Sequence, residues 1–213
     1  MITQEDNREE LRCDDRNPAQ RLVNTIMQQD RAVREEFARR VFERLRSEDE
    51  DTRWKFAMVV EELMLWEPRL IPHNVIESMS IDESFSVRSC AAVCYYYMAV
   101  QDPVSIPLDV LSRLAAYDED WYVATPAMSA LLRLARARPA VIEILTRNLD
   151  HKDSYAREYA AMAIKRLVQR DWDLIPEDLG IRMTRSLDPI IKKVGKEYMR
   201  KIKYKKEPQD YYL

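Results

Sequence analysis

The chain has 213 residues, of which 46% are hydrophobic and 33% charged, and its formal net charge at pH 7 is −3. Its only glycines are Gly180 and Gly195, which excludes glycine-rich phosphate loops and disfavours β-folds built on tight turns. Three cysteines, Cys13, Cys90 and Cys94, are too few for a disulfide scaffold in a chain of this length. With no apolar run near the ~18 residues of a membrane span and an acidic, polar start, the sequence predicts a cytoplasmic protein without membrane contact.

The first predicted elements precede a repeat. Residues 1–17 are polar and are expected to be disordered, and helices are predicted at Pro18–Gln29 and Asp30–Arg46. Five segments of 17 residues then align without gaps, with apolar residues at helical spacings of three, four and seven. Each opens with a residue type that caps helix N-termini. They start at Asp49, Ser84, Asp120, Asp153 and Asp188.

Shorter amphipathic stretches, each preceded by a proline, separate these five helices. They are Asn74–Ser80, Leu108–Tyr117, Ala140–Leu149 and Glu177–Leu187. Each repeat of about 35 residues is therefore predicted to be a helical hairpin that must stack on its neighbours to bury its apolar faces. In the third repeat, either Pro126 kinks the second helix, or that helix starts late with Thr125 as its cap. Residues 207–213 are expected to form a flexible tail.

The second helices Ser84–Met98 and Asp153–Leu167 carry the clearest copies of a D-x-x-V-R-x-x-A-A-x-x-L-type pattern. This pattern resembles HEAT repeats of the armadillo-like group, over residues 30–204. The resemblance implies an all-α fold: a right-handed α-solenoid of about five HEAT-like hairpins plus an N-terminal helix, in one domain over residues 18–206. It also implies an Asp–Arg ladder between repeats. Ala124 and Ser84 depart from this pattern, so the ladder is expected to be interrupted around the third repeat. The ladder positions are Asp49/Arg53, Arg88, Asp120, Asp153/Arg157 and Asp188/Lys192.

In HEAT-like solenoids, the face of the second helices opposite the core lines a concave groove. In this chain the corresponding positions change from aromatic, Met and aliphatic residues in the first repeats to charged residues in the last. Such a groove suits a protein or peptide with an acidic, amphipathic stretch. Packing of Trp54 under the first predicted helix would be an equally simple explanation of its apolar character. The candidate partner-binding residues are Trp54, Met58, Glu61, Val93, Tyr96, Leu132, Arg136, Met162, Lys165 and Arg200.

The last helix is strongly basic, and two interpretations stay open. A terminal repeat has no neighbour and must present a solvated, charged face. Alternatively, the cations form a patch for phosphate backbones. The residues concerned are Lys192, Lys193, Lys196, Arg200 and Lys201.

Few residues are available for catalysis, and neither a metal nor a cofactor is expected. His73 and His151 fall in connectors, and the sequence has no zinc-binding motif. Cys90 and Cys94 lie four residues apart on one helix, where they form either a redox or soft-metal pair or, as the repeat columns favour, two small core residues.

The leading hypothesis is a non-catalytic scaffold or adaptor that binds a protein or peptide partner on its concave face. The alternative is a HEAT-like nucleic-acid-binding protein, or a DNA alkylation-repair glycosylase, that uses the C-terminal basic region. Trp54 and Trp121 offer only a loose likeness to the tryptophans of that glycosylase family, so no catalytic position is assigned. The oligomeric state is left open.

Overall fold

The computed structural model describes residues 17–206, with side chains up to Tyr204. The predictions of a disordered start and a flexible tail concern residues that lie outside this range, apart from Asn17. The chain divides into two compact units, Met1–Cys94 and Tyr95–Leu213. The prediction of a single solenoid domain over residues 18–206 stays a prediction.

Helices make up both units, and residues 17–206 contain no strand. In the first unit α1 is Pro18–Met27, α2 Arg31–Arg44, α3 Glu50–Trp66 and α4 His73–Met79, and α5, Phe85–Gln101, begins there. The second unit holds the end of α5, followed by α6 Leu108–Tyr117, α7 Trp121–Leu134, α8 Ala140–Asn148, α9 Ser154–Arg170, α10 Glu177–Thr184 and α11 Pro189–Lys206. Short 3-10 turns lie at Pro68–Leu70 and Trp172–Leu174. The predicted all-α class and the alternation of helices are confirmed.

Aspartate side chains start the second helices, as their column in the repeat predicts. Asp49 accepts a hydrogen bond from the backbone N–H of Thr52, Asp120 from Tyr122 and Asp153 from Tyr155, at 2.7 to 2.9 Å. Each bond satisfies an N–H that has no partner within the first turn, which is worth about 1 kcal/mol. These caps explain why the predicted and observed starts of the helices agree.

Pro126 lies inside α7, which begins at Trp121. The late start with Thr125 as cap is therefore wrong, because Asp120 already caps the helix five residues earlier. Pro126 has no N–H to donate to the carbonyl four residues earlier, but the helix continues through it from Trp121 to Leu134. The boundary of α10 also differs from the prediction, since this helix ends at Thr184 and not at Leu187.

One stripe of apolar side chains on the second helix of each hairpin forms the core. Its members occupy the same repeat column, and each is at most 5% exposed. They are Leu63, Met98, Leu134, Leu167 and Ile202. In the first unit, α1 and α2 both pack against α3. In the second, α6 packs against α7 and α9, and α10 packs against α11. The helical periodicity thus predicts which faces are buried.

The Asp–Arg ladder differs from the one that the resemblance implies. Arg53 forms a two-pronged ion pair with Asp82, at 2.9 and 3.1 Å. Asp82 lies two residues before Ser84 of the aspartate column, so it replaces the missing acid there. Further along, Arg157 lies 3.7 Å from Asp188 and donates to two backbone carbonyls. Ala124 has no charged group to contribute, as predicted.

Both glycines lie where α10 and α11 pack together. A Cβ on Gly195 would lie 2.6 Å from the backbone nitrogen of Thr184 and 2.7 Å from the backbone carbon of Met183. A Cβ on Gly180 would lie 2.1 Å from the ring of Tyr198. The prediction that Gly195 marks close helix packing is confirmed. Gly180, for which the sequence offers no explanation, serves the same contact.

We expect Gly195→Ala to lower the free energy of unfolding by about 2 kcal/mol, since the new methyl group meets backbone atoms that cannot rotate away. This loss outweighs the gain of about 1 kcal/mol that alanine brings to an unstrained helix. Thermal denaturation should show a midpoint lower by about 5 °C. The exposed neighbour Lys196 provides a control, because Lys196→Ala should change stability by no more than about 0.5 kcal/mol. Equal midpoints for the two variants would contradict the packing argument.

Candidate partner-binding surface

In the first unit, the predicted binding residues Trp54, Met58 and Glu61 lie on α3, and Val93 lies on α5. Trp54 is 39% exposed although α1 packs against the same helix. Trp54 is therefore not fully covered in the first unit. Met58 and Val93 are half-buried, so Trp54 is the most accessible apolar member of this group.

Glu61 was predicted to be exposed in the groove, and its partial burial in the structure differs from that prediction. It is half-buried, and the thiol of Cys90 donates a hydrogen bond to its carboxyl group. Burial raises the pKa of Glu61 to about 7, and the neighbouring Glu62 adds to the shift. The side chain is thus part of a polar contact between α3 and α5.

Cys90 and Cys94 are buried free thiols, as their repeat columns favour. Burial raises the pKa of both groups, and the carboxyl of Glu61 adds to this effect. Because the thiolate is the reactive form, both side chains are poor nucleophiles. They act as small core residues.

The second unit holds a cleft of about 360 Å³ between the end of α5 and the C-terminal halves of α7 and α9. We call it the arginine cleft, and its lining residues are Tyr96, Ser129, Leu132, Arg133, Arg166 and Arg170. Three of the six are arginines and none is acidic. Tyr96 and Leu132 were predicted for a binding surface, whereas the arginines were not.

Two of the three guanidinium groups are held in place. Arg133 stacks 4.0 Å from the ring centroid of Tyr96 and also donates to its hydroxyl. Arg170 donates to the carbonyl of Leu132 at 2.9 Å and to the carboxylate of Asp171 at 2.6 Å. Within the described residues, Arg166 makes no hydrogen bond or ion pair. The cleft therefore presents guanidinium N–H groups in a largely fixed arrangement.

The prediction that Leu132 is exposed on the binding surface is wrong, because this residue is only 6% exposed. Its repeat column points away from the core, but its backbone carbonyl accepts a hydrogen bond from Arg170 and the residue lines the arginine cleft. Leu132 forms part of the cleft wall.

A group of aromatic side chains, of which only Trp121 was named from the sequence, lies near the N-terminal ends of α7 and α9. We call it the aromatic rim, and it consists of the exposed Trp121, Tyr122 and Tyr155 and the half-buried Tyr159. Trp121 is 58% and Tyr155 70% exposed. The rings of Trp121 and Tyr122 lie 3.9 Å apart. Tyr122 and Tyr155 occupy the same repeat column, a signal that the sequence already contains.

Two carboxylates lie near Tyr159 of the aromatic rim. Burial raises the pKa of the Tyr159 hydroxyl, and the charges of Glu158 and Asp120 raise it further. Asp120 starts α7 and Glu158 lies on α9, so acidic groups from both helices reach this end of the surface. The exposed side of α7 and α9 is therefore aromatic and acidic at one end and cationic at the other.

Among the remaining predicted residues, Met162 is 41% exposed between the rim and the cleft, and Arg200 is exposed on α11. Lys165 is half-buried. Arg136 is exposed and donates to Asp171 at 2.7 Å. Arg136, followed by Arg170, lowers the pKa of the Asp171 carboxyl group.

The basic residues of α11 have different environments. Lys201 donates to the carbonyls of Val168 and Gln169, both at 2.7 Å, and so satisfies the C-terminal end of α9. Its ammonium group is engaged in this contact. Lys192, Lys193 and Lys196 are exposed. Their assignment to a phosphate-binding patch stays a prediction.

The two histidines have different surroundings. His73 is exposed at the start of α4. His151 accepts a hydrogen bond from the backbone N–H of Asp153 and packs edge-on against Tyr117. In the described part of the chain, no group of three or more His, Cys, Asp or Glu side chains could hold a metal ion, and no helix there is long and apolar enough to cross a membrane.

Comparison with known proteins identifies the fold. No protein-family model and no curated protein matches the sequence. Among solved structures, the chain is similar to a TOG (tumor overexpressed gene) domain array from a study of tubulin recruitment and assembly by microtubule polymerases, with a TM-score of 0.54 and 8% identity. This match covers 76% of the chain and 39% of that protein, so the chain corresponds to well under half of the array.

Two further similar structures are artificial. A designed armadillo repeat protein has a TM-score of 0.48 and 14% identity, with 91% of this chain and 97% of that one covered. An engineered protein has a TM-score of 0.46 and 18% identity, with 87% and 96% covered. The chain has a HEAT/armadillo-like α-solenoid fold, as the resemblance in its second helices implies.

The raised pKa of Glu61 predicts a pH-dependent stability. Between the usual value of 4.5 and the folded value of about 7, the folded state binds more protons than the unfolded state. The free energy of unfolding should therefore fall as the pH rises through this window, by about 2 kcal/mol. Urea denaturation at pH 5 and pH 8 measures the difference, and Glu61→Gln should remove most of it. The exposed Glu143 provides the control: Glu143→Gln should keep the slope of the parent chain, and a Glu61→Gln variant with an unchanged slope would refute the assignment.

Proposed function

We propose that the chain is a non-catalytic protein-binding module, and that the exposed side of α7 and α9 in the second unit receives an extended segment of a partner protein. The aromatic rim is the observation that carries this proposal. Trp121, Tyr122 and Tyr155 are each more than half exposed on one side of two neighbouring helices. Tryptophan and tyrosine are enriched at the energetic centres of protein interfaces.

The distance between the two ends of this surface fits an extended peptide. Tyr155 and Arg166 are eleven residues apart on α9, which corresponds to about 16 Å along the helix. About five residues of extended chain cover that distance. Met162 lies between the ends and is 41% exposed, so a peptide that follows α9 meets aromatic, apolar and cationic side chains in turn.

A nucleic acid suits the surface less well. A basic groove lined with aromatic rings can bind single strands, but a phosphodiester carries a charge at every nucleotide. Asp120 and Glu158 beside Tyr159 would repel a phosphate chain at the aromatic end. A peptide can place uncharged residues there.

Selection from a random-peptide display library tests the proposal directly. We expect selected peptides, measured singly by fluorescence anisotropy, to bind the full chain and to lose at least tenfold in affinity when Tyr155→Ala removes an exposed ring. Tyr117, an exposed tyrosine on α6, provides the matched control, and Tyr117→Ala should leave the affinity within about twofold. A library that yields no binder, or binders that are indifferent to Tyr155→Ala, would reject this function.

A further inference from the structure

We propose that the arginine cleft is a binding site for carboxylate side chains, so that the occupant of this surface is an acidic segment of a partner protein. This inference rests on the protein-binding function proposed above and defines the chemistry of the partner. It is carried by the composition of the cleft, by the contacts that hold two of its three guanidinium groups, and by the difference in charge between the two ends of the exposed side of α7 and α9.

Charge is the first reason. Arg133, Arg166 and Arg170 line one cleft of about 360 Å³ without a carboxylate among the lining residues. Asp171 neutralises part of this charge from beside the cleft, but it is shared between Arg170 and Arg136. Like charges held close together repel each other, and an anion in the cleft would relieve that repulsion.

Geometry is the second reason. The guanidinium of Arg133 lies on the ring of Tyr96, and that of Arg170 is tied to Leu132 and Asp171. A ligand therefore meets side chains whose rotational freedom is already reduced, which lowers the entropic cost of binding. The planar guanidinium fork matches the two oxygens of a carboxylate. Arg166, which has no such tie within the described residues, can close on the ligand.

The rest of the surface favours the carboxylates of a peptide over the phosphates of a nucleic-acid strand as the bound anions. Tyr96 and Leu132 give the cleft an apolar wall, and the aromatic rim lies about 16 Å away along α9. Glu158 and Asp120 lie near Tyr159 at the rim and disfavour a second negative charge there. The occupant should thus have acidic residues at one end and aromatic or aliphatic residues about five positions away. An acidic, amphipathic peptide meets this description, whereas a uniformly charged strand does not.

The test uses the full chain and two labelled peptides of equal length. One has glutamates at one end and tyrosine and leucine at the other, and the second has glutamines in place of the glutamates. We expect the glutamate peptide to bind at least tenfold more tightly at low salt, with an affinity that falls as salt is added. Arg166→Glu should weaken its binding at least tenfold and leave the glutamine peptide unaffected.

Arg147 supplies the matched control, since it is exposed on α8, away from the cleft lining, and Arg147→Glu makes the same change in net charge. If Arg147→Glu and Arg166→Glu weaken binding equally, the effect is one of overall charge and the cleft assignment is wrong. Circular dichroism confirms that both variants fold. If Arg166→Glu does not fold, Arg166→Gln takes its place and should lower the affinity for the glutamate peptide at least threefold.

Two further outcomes would overturn the inference. Display-library peptides that need Tyr155 but show no acidic preference and no response to Arg166→Glu would leave the protein-binding function standing and remove the carboxylate site. A single-stranded DNA oligonucleotide of matched charge that binds more tightly than the glutamate peptide, with the same loss on Arg166→Glu, would assign the cleft to phosphate groups instead.

Discussion

The burial of one apolar stripe on each second helix is the constraint on which the rest of this structure depends. A hairpin of two helices cannot enclose such a stripe by itself, so it packs against its neighbours in the stack. Leu63 in the first unit and Leu134 and Leu167 in the second are fully buried in this way. Because each second helix has a fixed buried side, its opposite side repeats at regular intervals on the surface. The aromatic rim and the arginine cleft are both built on this repetition.

The same constraint brings the helices close together, and small residues lie where they approach each other most closely. Ala91, Ala127 and Ala160 are buried in one repeat column. That column ends with Gly195, where even a methyl group would meet the backbone of Met183 and Thr184. Small side chains at one point of a helix thus fix how near its partner can come. Charged side chains then form contacts around this packing. Lys201 of α11, for example, donates to a backbone carbonyl near the end of α9.

Most of the fold could be predicted from the sequence, because capping residues and periodicity act locally. Asp49, Asp120 and Asp153 place three helix starts correctly. Pro126 shows the limit of local reasoning: proline is unfavourable inside a helix, but the buried residues on both sides of it in α7 hold the helix together. Asp82 shows a second limit, since its pairing with Arg53 crosses 29 residues and depends on how the hairpin folds back.

The surface could be predicted only in part. Assigning each residue to a face by its angle around the helix finds Tyr96, Met162 and Trp54, whose side chains do point outward. It misplaces Leu132, which is only 6% exposed. It overlooks Arg133 and Arg166, which lie just beside the outward angle, because a long arginine side chain reaches well away from its own Cα.

The same property of arginine explains why the cleft exists at all. Arg133 and Arg170 approach from α7 and α9, and each is drawn to its place by a contact within the second unit, the ring of Tyr96 in one case and Asp171 in the other. These contacts hold positive charge over an apolar wall even though like charges repel. A cluster of this kind differs from a solvated surface in one physical respect: its guanidinium groups lose little freedom when an anion arrives. Arg166, which lacks such a contact within the described residues, is therefore the residue whose position should depend most on what the cleft contains.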